Sequence, residues 1–218
     1  MRRIVSHELL DDDLGSASDL RKSLDDLWRI NRWLGGVAGM RRLFAKFFSR
    51  STQAHPLRIL DVGAGDGRLA GHLSGELKRC GCRAEIFVLD RRVSHFLHHP
   101  DSRMARVAGD ALRLPFAPNT FDVTICNLLL HHFSGDAARQ LLKSLFAVAA
   151  EAVLVNDLDR RWLPYLFIRY APFVARSPIT RWDGAASVRQ AYTRTELSAL
   201  ARDSGFSSFE VVTLPCFR

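Results

Sequence analysis

The chain lacks the cysteine spacing that would organise it around a metal or a set of disulfides. Its four cysteines, Cys80, Cys82, Cys126 and Cys216, contain no C-x-x-C pair. Zinc modules and disulfide frameworks are therefore disfavoured, and reduced thiols in a cytoplasmic protein are expected. Long apolar runs are also missing. The most apolar late stretch, Trp162 to Ala175, is broken by Pro164, Arg169 and Pro172, which argues against a membrane span. The first residues offer Arg2 and Arg3 but then His7, Glu8 and Asp11-Asp12-Asp13, so no signal peptide is expected. Internal repeats and low-complexity tracts are absent. What remains, 218 residues with 47% hydrophobic and 25% charged side chains, is ordinary for one globular domain with a real core.

Charge of one sign is in excess, with a formal net of +8. Nucleic-acid binders concentrate such charge on one face. Here the arginines of the first fifty residues are mixed with acids, and they gather only from Arg160 to Arg194, among aromatics. That pattern disfavours RNA. It suits a basic, greasy lid over a lipophilic or acidic small molecule, or a peripheral contact with a membrane surface.

The most informative stretch runs from Arg58 to Gly67. Ile59-Leu60-Asp61-Val62 reads as a buried strand ending in an acid, and Gly63-Ala64-Gly65-Asp66-Gly67 then opens a helix. Glycines at spacing two allow positive φ and close approach of a ligand, and the amides of the following helix start favour a polar or anionic group. The glycine order departs from G-x-G-x-x-G, whose third glycine would fall at Arg68. Asp61 beside the turn would repel a pyrophosphate but suits a cationic ligand. That points to S-adenosylmethionine (SAM), with its ammonium and sulfonium, rather than to NAD.

Further strands supply the remaining contacts. Ala84 to Asp90 is a second apolar run ending in an acid, placed for ribose hydroxyls, with Arg91 next to it. A short strand near Ala105 to Gly109 delivers Asp110 and Ala111 on the adenine side. Phe121 to Asn127 reads as strand four and Glu151 to Asp157 as strand five. Strand and helix alternate throughout, which predicts a parallel α/β sheet covered on both faces.

These residues resemble a family. D-V-G-A-G-D-G, Asp90, G-D-A-L-R-L-P-F and F-D-V-T-I-C-N-L-L-L-H-H-F are similar, in order, to the motifs of class I SAM-dependent methyltransferases. The resemblance covers about residues 55 to 217. It implies a Rossmann-like, doubly wound, mostly parallel sheet and SAM as cofactor. N-D-L-D-R after strand five and D-G-A-A-S-V-R-Q-A-Y-T-R-T-E-L are more narrowly similar to small-molecule methyltransferases found beside bacterial polyketide synthases. Those typically methylate phenolic oxygen, so secondary-metabolite chemistry is implied. Methylation of carbon or nitrogen on a quinone precursor or amine, and a SAM-binding protein without transfer activity, stay open as alternatives.

A single domain divides into four parts. Residues 1–50 form a helical cap, with Leu20, Leu24, Leu27, Ile30 and Leu34 at helix spacing, Gly35-Gly36 as a stop, and a second helix from Val37 to Phe48. Asn31 interrupts the stripe, either to touch ligand or to sit on a solvated face. Residues 55–157 are the SAM-binding half. Residues 158–192 are a lid insertion after strand five. Residues 193–218 give a helix opened by the capping box Thr193-x-x-Glu196 and a strand at Phe209 to Leu214. Cys216-Phe217-Arg218 only begins a seventh strand, so the last strand reads as truncated. An open sheet edge invites a homodimer.

The chemistry needs few parts. Aligning a nucleophile with a methyl donor can lower a barrier by about 7–11 kcal/mol. A base that takes a phenol proton adds about 10²–10⁴-fold. His131 and His132 lie just past strand four and are the candidate bases, with Asp157 at the tip of strand five to orient one of them or to cap a turn. Two adjacent histidines are expected to point apart, so that one is structural. Tyr165, Phe167, Tyr170 and Phe173 could wall a pocket for a planar ring or simply bury the lid. Arg160, Tyr165, Arg189 and Tyr192 are the substrate-side candidates. His95, His98 and His99 follow strand two, away from this chemistry, and no metal site is expected.

Overall fold

In the computed structural model, residues 1–10, 15–48, 55–96, 104–170 and 175–214 are described. His98, His99, Phe173, Cys216 and Phe217 lie outside them. Five apolar runs form strands: β1 (Leu57–Val62), β2 (Ala84–Asp90), β3 (Ala105–Ala108), β4 (Phe121–Asn127) and β5 (Ala149–Asn156). All four neighbouring pairs are parallel, in the order β3-β2-β1-β4-β5. The chain leaves β1 toward β2 on one side and reaches β4 on the other. That reversal opens a crevice at the carboxyl ends of β1 and β4, where open α/β sheets bind ligands.

Side chains alternate along each strand and so feed two cores. Leu57, Ile59, Ile86, Val88, Val123 and Ile125 face one layer, closed by α2 (Gly36–Phe48) and α3 (Arg68–Arg79). Leu60, Val62, Leu89 and Cys126 face the other, closed by α5 (Gly135–Val148) and α8 (Arg194–Asp203). Because both faces are covered, the strands read as nearly continuous apolar runs. A single turn, α4 (Val93–Phe96), follows β2.

The cap and the lid come together. Ser16 accepts the Asp19 amide and starts α1 (Ala17–Trp33), whose Ile30 packs with Ile168 of α6 (Trp162–Tyr170) and Val188 of α7 (Pro178–Gln190). Helix α2 crosses the carboxyl end of β5 at very short range. A Cβ on Gly39 would stand 2.7 Å from Asn156 Oδ1 and 2.8 Å from Leu214 Cδ1. Asn156 Nδ2 donates to the Gly36 carbonyl at 3.0 Å and to Asn127 Oδ1 at 2.7 Å, tying the cap to the tips of β4 and β5.

Residues 1–10 run along α7 as a strap. The Ile4 amide donates to the Arg189 carbonyl, the Ser6 amide to Gln190 Oε1, and the Leu9 and Leu10 amides to the two Asp183 carboxylate oxygens. At the other end, Phe209 to Leu214 was expected as a sixth strand and is not one: it joins no ladder. Glu210 pairs with Lys46 and Leu214 lies against Gly39, so the segment is drawn onto α2 instead of the β5 edge. Among the described residues, no helix is long and apolar enough to cross a membrane.

Candidate active site

The glycine turn after β1 is shaped by backbone geometry. Gly63, Gly65 and Gly67 have φ of 71, 57 and 81°, values that side-chain-bearing residues rarely adopt. The Gly63 and Ala64 amides donate to the Leu89 carbonyl and pin the turn to β2. Among the described residues, nothing beyond its chain neighbours lies within 4 Å of where a Gly65 Cβ would stand, so the turn is open to a ligand there. Gly63 meets Leu129 at 2.7 Å from its would-be Cβ, bringing the segment after β4 against the turn. Asp66 accepts from the Arg68 amide at 3.2 Å and from its guanidinium, which holds the first residue of α3.

Two acids border this cradle. Asp90, ending β2, accepts the Gly65 amide at 2.8 Å through one oxygen and the Arg92 amide at 2.9 Å through the other. Asp61, on the central strand, is 1% exposed, and its Oδ2 has no hydrogen-bond partner among the described residues. Burial first, and the nearby Asp90 charge second, push its carboxyl up to about 7. A buried acid with a spare oxygen beside an open glycine turn fits a cationic ligand group, which would meet the orphaned oxygen and favour its ionised form. Asp110 follows β3 and accepts the Leu112 amide at 2.9 Å, holding a turn that includes Ala111. Arg91 is exposed beside Asp90. Together Asp61, the glycine turn, Asp90 and Asp110 line the carboxyl ends of β1, β2 and β3, as a nucleoside with a charged tail requires.

The second half of the site lies past β4 and β5. A turn of 3₁₀ helix, Leu130–His132, carries both histidines. Asp157 holds His131 twice, taking its amide at 3.0 Å and meeting its Nδ1 at 2.6 Å. The two imidazoles do not diverge, contrary to the expectation from their adjacency. Their centroids are 4.3 Å apart with planes tilted by 31°, and both Nε2 atoms approach Glu8, at 3.8 and 3.9 Å. The reason is the strap: it delivers a carboxylate that both rings turn toward. Glu8 Oε1 accepts from Ser187 Oγ and Gln190 Nε2, each at 2.7 Å. His131 is 3% exposed, whereas His132 is half-buried.

Glu8, Ser187, Gln190 and Arg3 are the members that sequence reasoning missed. Arg3 donates to the Gln190, His131 and Phe133 carbonyls and lies 4.2 Å over the Tyr192 ring. Tyr192, a substrate-side candidate, donates its hydroxyl to the Phe133 carbonyl at 2.7 Å, and burial pushes its phenol pKa up. It therefore props the histidine turn. Arg160, another candidate, is buried, donating to the Met1 and Ala191 carbonyls and pairing with Glu196. Its guanidinium thus ties the lid to the first residue and to α8. Tyr165 packs in the cluster of Ile30, Ile168 and Val188. Arg189 is half-exposed in the last turn of α7, outside the hydrogen-bond network around Glu8. Asn31 is buried rather than solvated. The donor atoms of Glu8, His131 and His132 lie within 4.8 Å of one another, a spacing a metal ion could bridge; in this structure Glu8 is engaged by Ser187 and Gln190.

Known proteins share this fold. Residues 59–151 match the family described as a methyltransferase domain. No curated protein matches the sequence. Among solved structures, the plantazolicin methyltransferase BpumL bound to S-adenosylhomocysteine (SAH) superposes with a TM-score of 0.64 at 19% identity, over 90% of this chain and 73% of that one. A SAM-dependent methyltransferase from Aquifex aeolicus gives 0.63 at 18%, over 93% and 96%. A putative methyltransferase from an antibiotic biosynthesis pathway of Anabaena variabilis gives 0.50 at 16%, over 75% and 60%. Such identities speak to the fold. The fold is that of the class I methyltransferases. Residues 59–151 match a methyltransferase domain, and the glycine turn with Asp61 and Asp90 fits SAM as its cofactor.

Proposed function

We propose that the enzyme methylates a small aromatic or polyketide-like natural product, at a phenolic oxygen, with the His131–His132 pair as general base. One observation carries this reading: a histidine locked to a carboxylate, Asp157, sits at the tip of β4 beside the cofactor cradle. SAM supplies an electrophilic methyl group on a sulfonium that departs as neutral SAH. The protein's part is to hold the acceptor oxygen in line and to take its proton. Asp157 holds the His131 ring at Nδ1 and so turns its Nε2 to the side of His132 and Glu8. His132, the more accessible ring, meets the acceptor hydroxyl. The Glu8 carboxylate then stabilises the imidazolium, as an acid does behind other catalytic histidines. A natural-product acceptor is supported by two structural neighbours, one a plantazolicin methyltransferase and one from an antibiotic biosynthesis pathway.

The test is turnover. Incubating the protein with SAM and a panel of phenols, quinone precursors and amines, and following SAH and product mass, should yield an O-methylated phenol. Products methylated only at nitrogen or carbon would replace the phenol reading while leaving the methyltransferase intact.

A further inference from the structure

Helix α6 breaks the usual division of a surface helix. Pro164 and Ile168 face inward. The opposite arc carries Trp162, Leu163, Leu166 and Tyr170, which are 60, 73, 45 and 70% exposed. At the helical repeat these four fall within about 100° of one another, on one stripe. A helix apolar on all sides belongs inside a protein; this one leaves a continuous apolar stripe in water. Exposed Arg161 and Arg169 bracket it, the first paired with Asp159 and the second 5.7 Å over the Tyr170 ring. Helix α7 packs against α6 where a Gly184 Cβ would stand 2.8 Å from Ile168, and Arg181 and Trp182 of α7 are also exposed. The acid of α7, Asp183, is buried under the strap and does not offset this charge.

We propose that this face docks the enzyme on an anionic lipid surface, the indole and leucines entering the headgroup boundary and the arginines meeting lipid phosphates. The composition selects lipid over a protein partner. Trp, Tyr and Leu on one stripe flanked by arginines is the pattern of a helix lying in a membrane interface. The chain's net charge of +8 is complementary to an anionic leaflet. A stripe within a nine-residue helix is also short for a stable protein interface. Docking there would set the lid, whose α7 holds the strap over the histidine pair, next to dissolved lipophilic acceptors. The inference does not depend on which acceptor is methylated.

The experiment is sedimentation with sucrose-loaded vesicles of phosphatidylcholine alone or mixed with phosphatidylglycerol. The wild type should pellet with the mixed vesicles, far less with phosphatidylcholine, and less as salt rises. Trp162→Ala/Leu163→Ser/Leu166→Ser should abolish pelleting. Arg161→Gln/Arg169→Gln should weaken it by about fivefold per charge removed and reduce its salt dependence. Both variants should keep the wild-type circular dichroism and SAM affinity. Failure of the wild type to pellet with anionic vesicles, or unchanged pelleting by the apolar variant, overturns the proposal. So does a wild-type dimer in light scattering that the apolar variant makes monomeric without any vesicle binding, which would assign the face to a second copy of the chain.

Discussion

The Asp90 carboxylate accepts two backbone amides and Asp157 holds His131 by its amide and Nδ1, and this decides what their replacement does. Asp90 fixes the Gly65 and Arg92 amides before any ligand arrives. Asp90→Ala therefore removes both the ribose acceptor and the bond that shapes the glycine turn. We expect SAM affinity to drop by about 1–3 kcal/mol, read by titration calorimetry. Asp90→Asn, which keeps one acceptor oxygen, should lose less; equal losses would mean the charge matters and the shape does not. At the acceptor end, His132→Ala should lower turnover by about 10²–10⁴-fold with SAM affinity unchanged. Asp157→Asn should also slow turnover, because it weakens the hold on the His131 Nδ1 and amide. Wild-type turnover in both variants would show that positioning alone carries the reaction and that the acceptor arrives ionised.

At the scale of elements, the tightest joint is α2 on β5. Gly39→Ala adds a methyl group that meets Asn156 Oδ1 and Leu214 Cδ1, both contacts shorter than ordinary van der Waals distance. Overpacking of this kind costs typically 1–3 kcal/mol, about the same range here. Urea unfolding should show the loss, and SAM binding should weaken with it because Asn156 links α2 to Asn127 at the tip of β4. A neutral Gly39→Ala would mean that α2 can slide without disturbing the strand tips. The strands, the glycine turn and the capping box at Thr193 and Glu196 were legible in the sequence because each is written in neighbouring residues: apolar runs, spacing two, an N-cap and its partner. The Asp157–His131 bond was half legible, since both lie at strand tips of a parallel sheet. Glu8 was not. It lies in a segment without periodicity, and only the folded strap brings it to the histidines and to Ser187 and Gln190. The partners of Arg160 were not legible for the same reason: nothing local says that a basic residue in a lid will meet the Met1 and Ala191 carbonyls. The sixth strand failed because Glu210 and Leu214 find partners on α2, a tertiary choice that overrides β propensity.

For the whole molecule, one buried acid couples folding, pH and cofactor. Asp61 has an ordinary value of 3.8 that the folded protein raises to about 7. Between those values the folded chain holds a proton that the unfolded chain has released. Stability from this group is thus complete below about pH 4, falls as pH rises, by at most about 1.4 kcal/mol per pH unit, and is fully lost once pH passes about 7. Asp61→Asn removes the titration. The melting temperature of the cofactor-free wild type should fall relative to that of the variant across this window, with the variant the more stable at pH 8. SAM reverses the preference, because its permanent sulfonium charge favours the ionised acid. Wild-type SAM affinity should rise with pH and level off above about 7, whereas Asp61→Asn should bind more weakly and follow a flatter profile. Using the variant as reference cancels the titration of the cofactor's own ammonium group. If the stability difference between the two proteins is flat from pH 4 to 8, Asp61 is ionised throughout and its spare oxygen is satisfied by solvent. If stability follows pH as expected but affinity does not, the acid is buried beside the cofactor without touching its charged end.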